Sequence, residues 1–186
     1  MVRRPGDGPR SALGFFGMAG RLKREPRKGW VSKLGIKDPE SVADHSYRTA
    51  VMAMVYSDAR GLDTARVLKM ALIHDLPEAI VGDSIPGERT KRQKRALESA
   101  AMNEILEGVP PAQRREYGGI WREFNRGESE EALLVRQVDK LEMAVQASEY
   151  RSASAGPGTE EFIESARAEI RDPNLLALLR LISGTG

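Results

Sequence analysis

The sequence predicts an all-α protein, because apolar residues recur at helical spacing along most of the chain. Capping residues, glycines and prolines divide this pattern into separate helices. We find no convincing run with the alternation of apolar and polar residues that a strand requires. At 186 residues, the chain is long enough for a single domain with a sizeable core.

The first part of the chain is predicted to contain an arm, a helix, a connector and a second helix. Residues 1–10 should form a flexible basic arm, residues 11–24 a helix, and residues 26–30 a connector. An aspartate followed by proline then marks the start of a strong helix over residues 38–59. Gly61 should close that helix.

The third predicted helix carries an unusual polar pair near its end. Asp63 should cap this helix, which runs through apolar residues into His74-Asp75. Pro77 cannot donate a backbone hydrogen bond, and its ring disfavours helical geometry at the preceding residue. We therefore expect the helix to kink or end just after His74-Asp75.

The rest of the chain reads as helices joined by loops, which together complete one domain over residues 11–186. A glycine pair at Gly118-Gly119 should interrupt one of these helices. The predicted helices cover residues 90–107, 110–125, 128–151, 159–171 and 173–182, and the predicted loops cover residues 82–87 and 152–158.

Composition excludes several classes of function. The chain has no cysteine, so it has no disulfide, thiolate zinc site or cysteine nucleophile. Basic residues crowd the first 28 positions, but the net charge is only +2, so we do not expect a nucleic-acid partner. Neither an apolar run of about 20 residues nor a signal-peptide pattern is evident. We expect a cytoplasmic protein without a membrane partner.

His74-Asp75 lies in an apolar stretch, where an imidazole and a carboxylate are costly unless something satisfies them. A divalent metal ion would satisfy both groups. The pair alone is weak evidence, because a core histidine with an ordinary hydrogen bond and a surface aspartate would give the same pattern. The chain therefore has to supply further ligands.

Candidate partners for the pair occur elsewhere in apolar helices. His45, the other histidine of the chain, lies within the second predicted helix, and Asp139 lies in a late one. Two imidazoles and two carboxylates suit a borderline divalent metal such as Mn, Co, Fe, Ni or Zn. Glu78 follows His74 by four positions, and Asp83 lies in a Gly-Asp turn.

These motifs, in this order, resemble the HD-domain phosphohydrolase superfamily, whose pattern is His, His-Asp and Asp on a helical core. The chain is more specifically similar to the HD domain-containing protein 2 and 5′-deoxynucleotidase family. The matching segments are residues 22–24, 26–31, 39–48, 74–83, 138–143 and 146–150. The resemblance implies a single HD-domain helical bundle that forms a homodimer.

The resemblance also implies roles for individual residues. It assigns four of them to the metal: His45, His74, Asp75 and Asp139. It makes Glu78 the residue that polarises or positions water. It gives Asp83 a substrate-contacting or second-metal role. Arg27 and Trp30 match an arginine and a tryptophan at the substrate pocket, although Lys28-Gly29 separates them here.

Several of these roles have alternatives. Trp30 would either stack on a sugar or base or form a hydrophobic plug. Glu78 and Asp83 would hold a second, harder ion such as Mg or Mn, unless Glu78 faces solvent and Asp83 only stabilises its turn. Glu142 and Gln146 are candidates to line the same cleft. Lys91 and Lys94 are interpreted as a solvated helix face rather than as phosphate ligands.

The functional hypothesis is a metal-dependent phosphomonoesterase that acts on deoxyribonucleoside 5′-monophosphates. Arg27 would contact the phosphate, and Glu78 would act as general base or position water. One alternative is an HD hydrolase for another nucleotide, although we expect too few basic residues in the pocket for a triphosphate. Another is a non-catalytic metal-bound dimer that binds a partner, against which intact Glu78 and Asp83 argue.

Overall fold

The computed structural model describes residues 8–85, 87–152 and 158–184. Within these residues the fold consists of α-helices, a 3₁₀ turn at Leu22–Arg24 and one isolated antiparallel bridge between Pro26 and Ser41. The predicted all-α class is confirmed. The helices are α1 (Pro9–Arg21), α2 (Lys28–Leu34), α3 (Val42–Arg60), α4 (Thr64–Ile73), α5 (Glu78–Val81), α6 (Lys91–Leu106), α7 (Pro111–Arg126), α8 (Glu130–Ser152), α9 (Glu160–Glu169) and α10 (Pro173–Ser183).

Helix α8 forms the centre of the molecule, since it packs against α3, α4, α7, α9 and α10. Most of its apolar side chains, on more than one face, are fully buried, as expected for a central helix. A smaller apolar cluster joins α6 and α7 to the start of α3 and to the turn after α4. The two clusters hold α3, the end of α4 and α8 side by side, and these elements carry the predicted metal ligands.

The start of α3 differs from the prediction. The helix begins at Val42, with Ser41 as its N-cap, rather than at Asp38-Pro39. The Ser41 hydroxyl accepts a hydrogen bond from the Asp44 backbone N–H (3.2 Å), and the Asp44 carboxylate accepts one from the Ser41 N–H (2.9 Å). This reciprocal capping satisfies two backbone donors at once. The predicted end is confirmed, because Gly61 caps the helix with φ of 65°.

The N-terminal elements also shift. Helix α1 begins at Pro9, so the last two residues of the predicted arm are helical, and residues 1–7 lie outside the described residues. The connector predicted over residues 26–30 is wrong from Lys28 onward, where α2 begins. This short helix is stabilised by the burial of Trp30 and is closed by Gly35, whose φ is 66°.

Helix α7 runs through Gly118-Gly119 without the predicted interruption. Gly118 is buried beside Leu106, and the burial of Ile120 and Trp121 outweighs the poor helix propensity of the glycines. The predicted loop over residues 152–158 falls mainly on residues 153–157, outside the described residues. Among the described helices, none is both long enough and apolar enough to cross a bilayer.

Candidate metal centre and active site

The break at the end of α4 brings His74 and Asp75 together. The predicted break before Pro77 is confirmed, but it comes slightly earlier than expected: the regular helix ends at Ile73, and residues 74–77 continue as turns. Asp75 accepts a backbone hydrogen bond from Glu78 (3.0 Å), which tightens the chain around the pair. On a regular helix adjacent side chains point about 100° apart. Here His74 Nε2 lies 3.2 Å from Asp75 Oδ2.

Two other helices bring the remaining predicted ligands to the same point. His45 projects from α3, and its Nε2 lies 3.0 Å from Asp139 Oδ1 on α8 and 3.7 Å from Asp75 Oδ2. His74 Nε2 lies 4.0 Å from Asp139 Oδ1. The ligand atoms of His45, His74 and Asp139 all fall within 4.8 Å of one another. Residues far apart in sequence therefore surround a gap of the size that one metal ion would fill.

The histidine nitrogens fit a metal ion at this point. His45 Nε2 and His74 Nε2 are buried and make no hydrogen bond. The opposite nitrogen of each ring is engaged, because His74 Nδ1 lies 2.7 Å from the Ala71 carbonyl oxygen and His45 Nδ1 contacts the Glu142 carboxylate. A neutral ring that donates through Nδ1 directs its Nε2 lone pair toward the carboxylates. A divalent cation would satisfy these lone pairs and both aspartates.

The electrostatics of the cluster favour a cation. Burial and the charge of Arg27 lower the pKa of His45, but the neighbouring carboxylates of Asp139 and Glu142 outweigh them and raise the pKa to about 10. Burial raises the pKa of Asp75, yet His74 and Arg27 together hold it well below its ordinary value. The cluster of His45, His74, Asp75 and Asp139 therefore attracts positive charge. Protons on the histidine nitrogens would compete with a metal ion for the same lone pairs.

Glu78 is a buried acid beside the cluster. Glu78 is only 4% exposed, and its Oε2 is buried without a hydrogen-bond partner. Burial, followed by the negative charge of Asp75, raises the pKa of Glu78 well above the ordinary carboxyl value. Glu78 does not face solvent, so that alternative is wrong. A carboxyl group with a raised pKa and a free oxygen is suited to accept a proton.

Arg27 and Asp83 meet at the rim of the cluster. Arg27 Nη1 lies 3.4 Å from Asp75 Oδ2 and 4.0 Å from Asp83 Oδ1. Asp83 Oδ2 accepts a hydrogen bond from the Lys28 backbone N–H (2.6 Å), and the Asp83 N–H donates to Glu25 Oε1 (2.9 Å). Asp83 therefore ties its own turn to the segment that presents Arg27.

Trp30 is covered rather than displayed. Only 2% of the residue is exposed, and its ring packs on Phe162 with centroids 4.2 Å apart. Its Nε1 donates to Glu40 Oε1 at 2.9 Å. Trp30 borders the cavity described below. This arrangement favours the hydrophobic plug over a residue whose face stacks on a ligand.

A cavity of about 560 Å³ adjoins the cluster and is lined in part by His74, Asp75, Glu78 and Asp139. It is large enough for a nucleotide-sized ligand, and its apolar wall includes Ile85, Phe124, Met143 and Phe162. The expectation of few basic residues is wrong, because the lining contains Arg27, Lys33, Lys94, Arg95, Arg136 and Lys140.

The sequence did not reveal most of these basic lining residues. The interpretation of Lys94 as part of a solvated helix face is wrong, because Lys94 lines the cavity. Lys94 lies 3.5 Å from Glu98, another lining residue, and Lys140 Nζ lies 3.2 Å from Asp139 Oδ2. Lys140 follows the predicted ligand Asp139 directly in sequence, and this adjacency could have indicated a basic residue near the pocket. Glu142 and Gln146 do not line this cavity; Glu142 lies behind His45 instead.

Gly82 is required where the turn before Asp83 passes the Arg27 segment. Its φ of 73° and ψ of 159° belong to a region that essentially only glycine adopts. A Cβ atom there would lie 3.1 Å from Glu25 Oε1 and 3.3 Å from Lys28 Nζ. A side chain there would also crowd these two side-chain ends, although the backbone conformation is the stronger reason for glycine.

Gly82→Ala is expected to lower the free energy of unfolding by about 1–3 kcal/mol, because alanine is strained in this conformation. Urea denaturation of the purified variant measures the change. Gly119→Ala is the matched control, since Gly119 lies within α7 with open space around its Cβ position. That control should be neutral or more stable by up to about 1 kcal/mol. Equal stability of Gly82→Ala and the wild type would contradict the prediction.

A helical bundle with such a histidine–aspartate cluster is typical of metal-dependent hydrolases. Comparison with known proteins supports this class. A family profile described as an HD domain matches residues 19–174. The chain belongs to the HD-domain family, so the resemblance drawn from the motifs is confirmed.

Individual relatives are similar over most of the chain. The protein named 5′-deoxynucleotidase HDDC2 from Homo sapiens is 42% identical over 176 residues, which cover 94% of this chain and 85% of that protein. The protein of the same name from Dictyostelium discoideum is 41% identical and covers 74% of this chain and 76% of its own length. A solved structure of a conserved hypothetical protein from Pyrococcus furiosus superposes with a TM-score of 0.77 at 32% identity, covering 92% of this chain and 98% of that one.

Proposed function

We propose that this chain is a metal-dependent phosphomonoesterase that hydrolyses deoxyribonucleoside 5′-monophosphates to deoxynucleoside and phosphate. One observation carries the proposal: two buried imidazole nitrogens without hydrogen-bond partners face two carboxylates at a nucleotide-sized cavity. The substrate class is supported by relatives named 5′-deoxynucleotidase, of which the human protein is 42% identical.

The proposed metal ligands are His45, His74, Asp75 and Asp139. This mixed nitrogen and oxygen set suits Mn, Co, Fe, Ni or Zn, and Mg is the harder alternative. A divalent ion held there would offset the charge of the phosphate and make water more acidic. Only one ion is proposed, because Asp83 already accepts from the Lys28 N–H and faces Arg27.

Glu78 is proposed as the general base. Its free Oε2 would take a proton from the attacking water as the water oxygen bonds to phosphorus. The ester bond between phosphorus and the 5′-oxygen breaks, and that oxygen takes up one proton, which balances the proton that Glu78 accepted, as the deoxynucleoside leaves. The burial of Glu78 keeps bulk water away from the carboxyl group and supports its raised pKa.

Arg27 is proposed to orient the phosphate, since its guanidinium borders both the cluster and the cavity. A guanidinium matches two phosphate oxygens at once. Asp83 is proposed to act through Arg27 by holding the segment that carries it. Trp30 is proposed to support the substrate pocket from behind, because its ring is already covered by Phe162.

The alternatives are weaker. A partner-binding module has no use for Glu78, a buried carboxyl group with an unpaired oxygen, which costs stability. The basic lining leaves nucleotides with longer phosphate chains as a second substrate class.

A homodimer and a cytoplasmic location are also proposed. Self-association is supported by the exposed apolar residues Tyr47, Val51, Met54 and Val55 along α3, and the location by the lack of cysteine.

A substrate panel tests this function. Phosphate release should be measured for dAMP, dGMP, dCMP and dTMP, for the four ribonucleotides and for the corresponding deoxynucleoside triphosphates, with each of Mn, Co, Zn and Mg. We expect the deoxynucleoside monophosphates to be the preferred substrates by at least about tenfold in kcat/KM, which is 1.4 kcal/mol of discrimination. Preference for ribonucleotides would refute only the sugar specificity, whereas preference for triphosphates would favour the second class.

A further inference from the structure

Glu142 is a fully buried carboxylate that none of the proposed catalytic steps uses. It is 0% exposed and lies on α8, about one turn after Asp139. One of its oxygens, Oε2, contacts His45 Nδ1 on the side of the ring opposite the proposed metal. A buried carboxylate is costly unless both oxygens are satisfied, so the partners of the second oxygen matter.

Arg48 satisfies that second oxygen. Its Nε and Nη2 lie 2.8 Å and 2.7 Å from Glu142 Oε1. Arg48 lies on α3, three residues after His45, so the histidine and the arginine reach Glu142 from the same helix. The guanidinium also donates to Gln146 (2.6 Å) and to Glu149 (2.8 Å), both on α8. The network therefore joins the two helices that carry His45 and Asp139.

His45 and His74 are held in different ways. His74 Nδ1 lies against a backbone carbonyl within its own helix end, whereas His45 Nδ1 lies against a charged group supplied by another helix. A carboxylate partner fixes the tautomer and orientation of a metal-binding histidine and increases its strength as a ligand. The orientation of His45 thus depends on contacts that connect α3 with α8.

We propose that Glu142 and Arg48 are positioning residues for the metal: Glu142 fixes the His45 ring with Nε2 toward the ion, and Arg48 fixes Glu142. The inference rests on the metal site of the proposed function. It concerns residues that do not touch substrate, and it predicts that metal affinity depends on a carboxylate behind the histidine.

Glutamine is the informative substitution at this position. Glu142 uses one oxygen for His45 and the other for Arg48, and both partners are donors. The amide of glutamine has one acceptor oxygen and one donor NH₂ group. Glu142→Gln therefore keeps the size of the side chain but places two donors against each other at one of the two contacts.

Metal affinity is the first measurement. The purified protein is stripped of metal, and Zn²⁺ binding is measured by competition with a chromophoric chelator. We expect Glu142→Gln and Glu142→Ala to bind Zn²⁺ about 10–100-fold more weakly than the wild type. Arg48→Lys should fall between them and the wild type, because lysine keeps the charge but loses the two-pronged contact. Thermal unfolding monitored by circular dichroism verifies that each variant is folded.

Glu123→Gln is the matched control, since Glu123 also pairs with an arginine, Arg66, but its other partner is Ser129 rather than a histidine. Its Zn²⁺ affinity should remain within about twofold of the wild type.

Histidine NMR separates positioning from a merely structural role. The chain has only two histidines, so a long-range ¹H–¹⁵N spectrum of the zinc-saturated protein has few ring signals. We expect the wild type to show a strongly deshielded His45 Nδ1 proton, and Glu142→Ala to lose that signal while the His74 signals persist. Unchanged zinc affinity and an unchanged His45 signal in folded Glu142 variants would overturn the inference. A wild type that binds neither Zn²⁺ nor, in the same competition assay, Mn²⁺ or Co²⁺ would instead overturn the proposed metal site itself.

Discussion

His74→Ala is expected to lose its bound divalent metal and to release phosphate from dAMP at least about 10³-fold more slowly than the wild type, a barrier increase of about 4 kcal/mol. The reason is geometric. His74 Nε2 is one of two buried nitrogens that face the aspartates, and alanine provides no ligand in its place. Inductively coupled plasma mass spectrometry and a phosphate-release assay measure the two effects on the same preparation.

Thr49→Val is the control for loss of a buried polar group. Thr49 is fully buried on α3, about one turn after His45, and its hydroxyl makes no hydrogen bond. Valine has nearly the same shape, so this variant should keep its metal and most of its activity. Full metal content and undiminished activity of His74→Ala would contradict the assignment of His74 as a ligand.

Glu78→Gln is expected to keep its metal and to lose about 10²–10⁴-fold in kcat, because the amide cannot accept the proton from water. Burial and Asp75 raise the pKa of Glu78, so the folded state binds this proton more tightly than the unfolded chain does. Such a group destabilises the fold as pH rises above the ordinary carboxyl pKa. The metal-free glutamine variant should therefore melt at a higher temperature than the metal-free wild type near pH 7.

The two readouts distinguish the possible roles of Glu78. Loss of activity with full metal content supports a base, whereas loss of metal along with activity would indicate that Glu78 is itself a ligand. Glu98→Gln serves as the control, because Glu98 lines the cavity, and burial raises its pKa as well, but its partner is Lys94. Wild-type kcat in Glu78→Gln would contradict the proposed chemistry.

The helices were largely predictable because their caps are local signals. Gly61 and Asp63 end and begin helices as their residue types predict. Asp38 and Ser41 both qualify as a cap for α3, and the capping box formed by Ser41 and Asp44 decides between them. Helix α2 was missed because its stability depends on contacts between Trp30 and Phe162, which lie far apart in sequence.

The candidate site was predictable only in part. The proposed ligands were recognisable because a histidine or aspartate in an apolar helix is unusual, and the structure brings them together. Their roles remain predictions. The contact between Arg48 and Glu142 joins residues 94 positions apart, and both residue types are common on helix surfaces. Burial of Glu142 distinguishes it from those surface residues, and burial is a property of the assembled bundle.

Metal add-back tests the central claim most directly. The wild-type protein is stripped with a chelator, and phosphate release from dAMP is followed while Mn²⁺, Co²⁺ or Zn²⁺ is titrated back. The account predicts negligible release by the stripped protein, and recovery that saturates at one ion per chain with at least one of these metals. Full activity of the stripped protein in the continued presence of chelator would contradict the account.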